Sequence, residues 1–488
     1  MTAVRVLAVG VALGCVLAGA APAAAAPPAG PDPASIDEIV RAHVGATRLP
    51  GVAVAVVDDD RIVHAAGYGH DSTGEPVTEH TPVRLGGVSE SFTAVALAQL
   101  VGFGVVRFDD PVVAHLPGFT TADPRSGEIT VRRLLDHTSG LPPAPAAPRT
   151  PARSLEEAVA GLRDVALVAA PGERRVRSGL GYQVAARLVE VKTGRPFDAF
   201  LTERVLFQVG AQETTTVAGT RDLVDGLVDG HTRFLAVSRP QAEPERLVSG
   251  SEGVVSTAAD VGTWLQFNVG WGLRTVLAGD GLREVQRLGC QERPGGELVL
   301  RGRTATSAAT LVMRPGRTPD ERWGVAVLAN GRDPLARGDG AAPSEVDDLA
   351  DELAALVRGE TPAPPGPPVA FLVELLLTAA AVGALVVAAV AVLRSRRWAR
   401  ATRPWAGRAL RLAPYALPLV LLAFLPDLAA PLVGGAATFA DLAALWPTAL
   451  VAAEVAAAAG AVVVAARLYA LARPGAVSAP AASPRTGP

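Results

Sequence analysis

The last quarter of the chain sets the strongest limit on its architecture. Residues 369–393 read VAFLVELLLTAAAVGALVVAAVAVL, with Glu374 the one charged side chain in the run. A helix of that length and composition matches a bilayer core of about 30 Å. Arginines crowd the next stretch, 394–411 (RSRRWARATRPWAGRALR), with Arg394 at its start and Arg411 at its end. A second apolar run, 412–433, contains Asp427 and several prolines, and a third, 445–466, contains Glu454. Arg467, Arg473 and Arg485 follow the third run, whereas 434–441 carry no positive charge. Arginine-rich flanks stay in the cytoplasm. The expected topology is therefore three transmembrane helices, with the arginine loop and a tail at 474–488 inside and the large N-terminal part outside. Intramembrane acids are costly and mark contacts; helix–helix packing or a partner protein is the expectation for Glu374, Asp427 and Glu454.

The N-terminus gives the same orientation independently. Arg5 precedes the apolar VLAVGVALGCVLAGA and the small-residue stretch APAAAAPP. That order reads as a signal peptide over 1–26, with cleavage expected after Ala25 rather than Ala26. Cys15 leaves with it, because the residues before it fit a lipid-attachment signal poorly. Cys290 is then the lone cysteine, so no internal disulfide is expected in an oxidising compartment. The 45 basic and 48 acidic residues nearly balance, which gives no basic excess for a nucleic-acid partner.

Residues 27–360 have mixed polarity and form the expected extracytoplasmic domain, joined to the apolar runs by a stiff linker, TPAPPGPP at 361–368. Ser35 and Glu38 read as a capping box at the start of a helix. GVAVAVVDDDRIVHAAGYG (51–69) alternates on both sides of an acidic turn, as a hairpin does. A helix is expected from Ser91, a short one within 129–142 ended by Gly140, another over 181–194 stopped by Gly194, and an amphipathic one over 343–359. SAATLVMRPG and RWGVAVLANG are strand candidates. The fold class is α/β (α+β): an antiparallel sheet flanked by helices with a helical insertion, followed by transmembrane helices.

Six stretches carry a resemblance. PGVAVAVVDDDRIVHAAGYG, LGGVSESFTAVALAQLV, ITVRRLLDHTSGLP, PGERRVRSGLGYQVAARLVEVKTG, GSEGVVSTAADVGTWLQ and RWGVAVLANG occur in this order within residues 36–357. Together they resemble the class C β-lactamases and penicillin-binding-protein-like serine hydrolases. The resemblance implies a β-lactamase/transpeptidase-like fold and three catalytic motifs, which can be compared residue by residue. The Ser-x-x-Lys motif falls on Gly87 and Glu90. The Tyr-x-Asn motif falls on Arg177 and Gly179. The Lys/His-x-Gly motif falls on Arg303, Thr304 and Ala305. Glycine has no atom to acylate, and arginine stays protonated and cannot act as a base. Ser89 and Ser91 are neighbouring hydroxyls, but neither has a lysine three residues on, and the single lysine, Lys192, sits on another helix. Tyr182 corresponds to a packing position and His137 to a helix-capping one. There is no Gly-x-Ser-x-Gly, His-Glu-x-x-His or Cys-x-x-Cys, so no metal or other cofactor is expected.

These substitutions lead to two expectations. The first is a pseudo-hydrolase in which Glu90 and Arg177 form an ion pair across the old site. With Arg303 also pointing inward, the cleft would attract carboxylates. Peptidoglycan peptides, another cell-envelope protein and the membrane are then the expected partners, and Glu90, Arg177, Arg303, Ser89 and Ser91 the candidate ligand-binding residues. The second is an active hydrolase (an esterase, D-alanyl-D-alanine carboxypeptidase or β-lactamase type) that uses Ser89 or Ser91 in a rearranged site.

Overall fold

The computed structural model describes residues 31–472 apart from 145–149, 271–274, 278, 317, 319–320, 335–343, 367–368, 401–403 and 434–436. The expected signal peptide, with Arg5, Cys15 and Ala25, and the expected tail at 474–488 lie outside the described residues, as do the last two residues of the linker.

The first helix, α1 (Pro33–Thr47), starts before Ser35. Asp32 is its N-cap, and Pro33 occupies the first turn, where its fixed φ suits a helix and its missing N–H costs nothing. The capping box expected at Ser35 and Glu38 is corrected accordingly. Strands β1 (Gly51–Asp58) and β2 (Arg61–Gly69) form the expected hairpin. Its acidic turn places Asp59 at φ 53°, a left-handed conformation that Asp tolerates better than most residues. The two-residue β3 (Val83–Arg84) leads into a 3-10 turn, Gly86–Val88, and then into α2 (Ser89–Gly102). α3 (Val131–Leu135) and α4 (Gly179–Thr193) belong to the helical insertion, and Gly194 ends α4 in the left-handed region.

β4 (Thr215–Thr216) and β7 (Val254–Ser256) complete a three-stranded ribbon with β3, while β5 (Gly230–Phe234) and β6 (Val237–Gln241) pair as a separate hairpin. After α5 (Ala258–Val269) come β8 (Gln291–Arg293), β9 (Glu297–Arg303), β10 (Ala308–Arg314) and β11 (Trp323–Ala329). The main sheet has six strands in the order β2-β1-β11-β10-β9-β8, with every pair antiparallel. Helix α6 (Glu345–Val357) starts with a capping box formed by Ser344 and Asp347.

Both faces of the sheet are covered, which is why β1 and β11 read as continuous apolar runs. Val52, Val54 and Val56 share one core with Ile36 and Val40 of α1 and Leu349 and Leu353 of α6. Ala53, Ala55 and Val57 face a second core that contains Phe92 and Trp264, whose rings stack at 3.9 Å. Cys290 is a free, buried thiol, and burial pushes its pKa up to about 12.

Among the described residues, three further helices are long and apolar enough to cross a membrane: α7 (Val369–Leu393), α8 (Trp405–Ala423) and α11 (Pro447–Ala472). The run expected at 412–433 differs in detail. Its helix begins earlier, at Trp405, breaks near Phe424, and resumes as α9 (Leu425–Val433). A short helix, α10 (Phe439–Leu445), precedes α11. The β5–β6 hairpin rests on this junction. The Leu235 N–H donates to Thr448 Oγ1 at 2.9 Å, and the Gln241 amide donates to the Ala444 carbonyl at 3.3 Å. Glu374 is fully buried beneath, accepting from Trp446 Nε1 and Thr448 Oγ1.

Candidate active site

The start of α2, the start of α4 and the end of β9 converge at one place. Gly86 takes φ +54°, and a Cβ there would come within 2.7 Å of the Arg303 backbone nitrogen. Gly302 is tighter: its Cβ would lie 1.8 Å from the Leu85 carbonyl oxygen. Strand β9 therefore presses its backbone directly onto the turn that carries Gly87. Bare glycines on both sides allow that approach.

The Arg177 guanidinium fills the space above Gly87. A Cβ on Gly87 would meet Arg177 Nη2 at 2.2 Å. Nη2 donates to Glu90 Oε2 at 2.9 Å, to the Arg301 carbonyl at 3.0 Å and, more weakly, to the Gly87 carbonyl at 3.3 Å. One side chain thus ties α2, the 3-10 turn and β9 together. Glu90 is 6% exposed. Burial pushes its carboxyl up, but Arg177 and then His137 pull it down further, so it stays below its ordinary value.

His137 completes the cluster. It sits at φ 60° in the loop after α3 and is buried. Its Nδ1 accepts the backbone N–H of Ser178, the N-cap residue of α4, at 3.2 Å. A neutral ring then carries its proton on Nε2, which lies 3.4 Å from Glu90 Oε2. The imidazole therefore supports both the start of α4 and the buried carboxylate. Tyr182 packs at 5.2 Å from the His137 ring and donates its hydroxyl to the Leu135 carbonyl at 2.8 Å. Burial raises its pKa well above the ordinary value.

The two candidate hydroxyls are bound to backbone. Ser89 is 1% exposed, and its Oγ accepts the Val254 N–H at 3.0 Å. Ser91 donates to the Val88 carbonyl at 2.8 Å. Gly179 has no room for the asparagine of the family motif without adjustment, because a Cβ there would lie 3.2 Å from Ser251 Cβ.

Arg303 corrects an expectation. Its side chain does not line the cleft but crosses to the opposite face of the sheet, where it donates to Asp347 Oδ2 at 2.7 Å, Ser344 Oγ at 2.8 Å and the Ala309 carbonyl at 2.8 Å. Arg301 reaches the same carboxylate, Nε to Oδ1, at 2.9 Å. These two cations hold Asp347 well below the usual carboxylate range, at about 2, although burial, the largest single influence, opposes them. The reason for Arg303's direction is the period of a strand. In ELVLRGR, Leu298 and Leu300 face the α2 side while Val299 faces α1 and α6. Gly302 therefore shares the face of Leu300, and Arg301 and Arg303 share that of Val299. That alternation was readable in the sequence. Asp347, 44 residues beyond Arg303, carried no such signal. Thr304 and Ser307 close the β9–β10 turn through their hydroxyls, at 2.8 Å.

The cleft with two arginines and a glutamate is thus replaced by one arginine clamped on one glutamate. A cavity of about 200 Å³ opens elsewhere, beside β3, with Arg84, Asp222, Glu243 and Thr306 among its lining; Gly87, Glu90, Arg177 and Gly179 do not line it. Among the described residues, no group of three or more His, Cys, Asp or Glu side chains is placed to hold a metal ion.

A family model described as Beta-lactamase matches residues 36–350, well over half of the chain. The chain belongs to this family, that of the β-lactamase and penicillin-binding-protein-like serine hydrolases. It is 34% identical over 174 residues to penicillin-binding protein 4 of Amycolatopsis lactamdurans, covering 35% of this chain and 45% of that protein. It is 28% identical over 234 residues to the D-alanyl-D-alanine-carboxypeptidase/endopeptidase AmpH of Escherichia coli (strain K12), covering 46% and 57%. The chain thus spans about half the length of the curated relatives it matches. The octameric penicillin-binding protein homologue from Pyrococcus abyssi superposes with a TM-score of 0.58 at 20% identity, over 68% of this chain and 78% of that one. At that identity the likeness is one of fold.

Proposed function

We propose that this chain is a membrane-anchored, extracytoplasmic member of its family that has lost acyl transfer and serves as a binding or scaffold module at the cell wall. One observation carries the reading: the position that would hold the nucleophile is a glycine whose side-chain space is filled by Arg177, itself fixed on Glu90. Acyl transfer needs a hydroxyl beside a base. Here the base positions hold a buried carboxylate and a permanent cation, and the nearest serines donate to, or accept from, backbone. The orientation follows from the arginines at 394–411 and beyond 466, which favour the cytoplasmic side. The cell-wall setting draws on relatives named for penicillin binding and D-alanyl-D-alanine carboxypeptidase activity.

The test is labelling of the purified full chain with a fluorescent penicillin and with a fluorophosphonate, using AmpH as the reactive control. No covalent adduct is expected. Labelling that disappears in Ser89→Ala or Ser91→Ala would identify a working hydrolase and end this reading.

A further inference from the structure

The arginines give a level for the outer edge of the apolar helices. Arg394 follows the last residue of α7, and Glu374 lies twenty residues before it. On α11, Arg467 lies nineteen residues after Thr448. At about 1.5 Å per residue each interval spans about 30 Å, the thickness of a bilayer core. α7 and α11 pack on each other through Ala388, Ala391, Ala459 and Val463. Glu374 accepts from Thr448 Oγ1 and from Trp446 Nε1. Two helices counted separately thus reach one level, and hydrogen bonds join them there. Trp446 has the side chain that favours such an interface.

The β5–β6 hairpin reaches the same level. Its tip, Phe234-Leu235-Ala236-Val237, is four apolar residues in a row. Phe234 and Val237 pair across a two-residue turn in which Leu235 takes φ 51° and Ala236 φ 63°. Such a turn ordinarily selects Asn and Gly, because a Cβ is disfavoured at positive φ. Apolar residues there answer a different demand. The Leu235 N–H donates to Thr448 Oγ1 at 2.9 Å, which sets the tip at the outer boundary, and Val237 is 54% exposed beside it. Two arginines flank this place. Arg239 lies over the Phe234 ring at 5.1 Å. Arg48, at the end of α1, lies over the Phe371 ring at 4.5 Å, three residues outward from Glu374 on α7. Both arginines are exposed, and neither makes an ion pair among the described residues.

Resting on the membrane-anchored reading above, we infer that the tip of the β5–β6 hairpin is a lipid contact: Phe234 to Val237 enter the interfacial layer of the outer leaflet, and Arg48 and Arg239 bind the phosphates of anionic headgroups. The occupant follows from continuity with the spans, because a tip bonded to the first turn of α11 shares that turn's surroundings. Apolar side chains are favoured at the headgroup–acyl boundary, and a guanidinium fork matches phosphate oxygens.

The experiment uses the full chain with Cys15→Ala and Cys290→Ala, reconstituted in phosphatidylcholine vesicles. A single introduced cysteine carries an environment-sensitive dye, and a lipid quencher sits either shallow or deep on the acyl chain. The test site is Val237→Cys. The controls are Leu385→Cys, 54% exposed on α7 and nine residues from Arg394, and Leu223→Cys, 99% exposed in the extracytoplasmic domain. Emission at 237 should shift to the blue and be quenched more by the shallow quencher, at 385 more by the deep one, and at 223 by neither. Moving the shallow quencher from phosphatidylcholine to phosphatidylglycerol should raise its local concentration at 237 by about fivefold for each arginine. Arg48→Gln with Arg239→Gln should abolish that gain. No quenching at 237 alongside deep quenching at 385, no difference between the two headgroups, or an undiminished gain in the double variant would each overturn the inference. Absence of quenching at 385 would instead overturn the anchored reading on which it rests.

Discussion

Replacing Arg177 by alanine removes the hydrogen-bonded cation of the Glu90 carboxylate, which is 6% exposed in the wild type and keeps His137 Nε2 at 3.4 Å. Removing one partner of a buried pair costs about 3–5 kcal/mol, mostly because the remaining charge stays desolvated. The Arg177 side chain is 31% exposed, so water already weakens the pair and the lower end applies, about 3 kcal/mol. For a domain of about 330 residues at about 2.1 cal/mol/K each, that loss lowers Tm by about 4 °C. Glu90→Gln combined with Arg177→Ala removes the orphaned charge and should recover about 2 kcal/mol, a coupling typical of contacting groups. The pH dependence has a fixed sign. Arg177 and His137 hold the folded Glu90 below its ordinary value, so the pair's stabilisation is present above the unfolded carboxyl pKa and is lost as pH falls through the folded one. The deficit of Arg177→Ala should therefore be full at pH 7 and shrink in acid. Thermal melts of wild type, both single variants and the double variant, in detergent at several pH values, measure all of this. Additive single effects, or a deficit that does not change with pH, would refute the claim that the clamp is an ion pair.

Gly302→Ala tests the seal between β9 and the turn before α2: the new methyl would sit 1.8 Å from the Leu85 carbonyl, and backbone cannot move aside cheaply, so a loss at the upper end of overpacking, about 3 kcal/mol, is expected by chemical denaturation. Asp347→Ala leaves Arg301 and Arg303 without their shared counter-ion and should cost about 3–5 kcal/mol. Because Asp347 is held at about 2, its contribution persists through mild acid and disappears only as pH falls towards that value, so the melting difference between wild type and variant should stay level between pH 7 and 5.

The sequence by itself determined the parts that depend on local pattern. The run GVAVAVVD before an acidic turn gave the hairpin, an apolar run with Glu374 as its one charge gave α7 to the residue, and Gly194 gave the end of α4. It also showed that position 87 carries no hydroxyl and position 90 no amine. Element edges were less legible: Pro33 drew α1 back past Ser35, and the 3-10 turn at Gly86–Val88 brought α2 forward to Ser89. Tertiary structure alone decided which side chains meet at these positions. Arg177 lies 87 residues from Glu90, and Arg303 lies 44 from Asp347, so neither partnership follows from short-range spacing. A guanidinium goes wherever a buried carboxylate and free carbonyls converge, and only the folded backbone sets where that is. Two glycines let β9 touch the turn before α2, and Arg177, held by Glu90 and the Arg301 carbonyl, fills the room above Gly87.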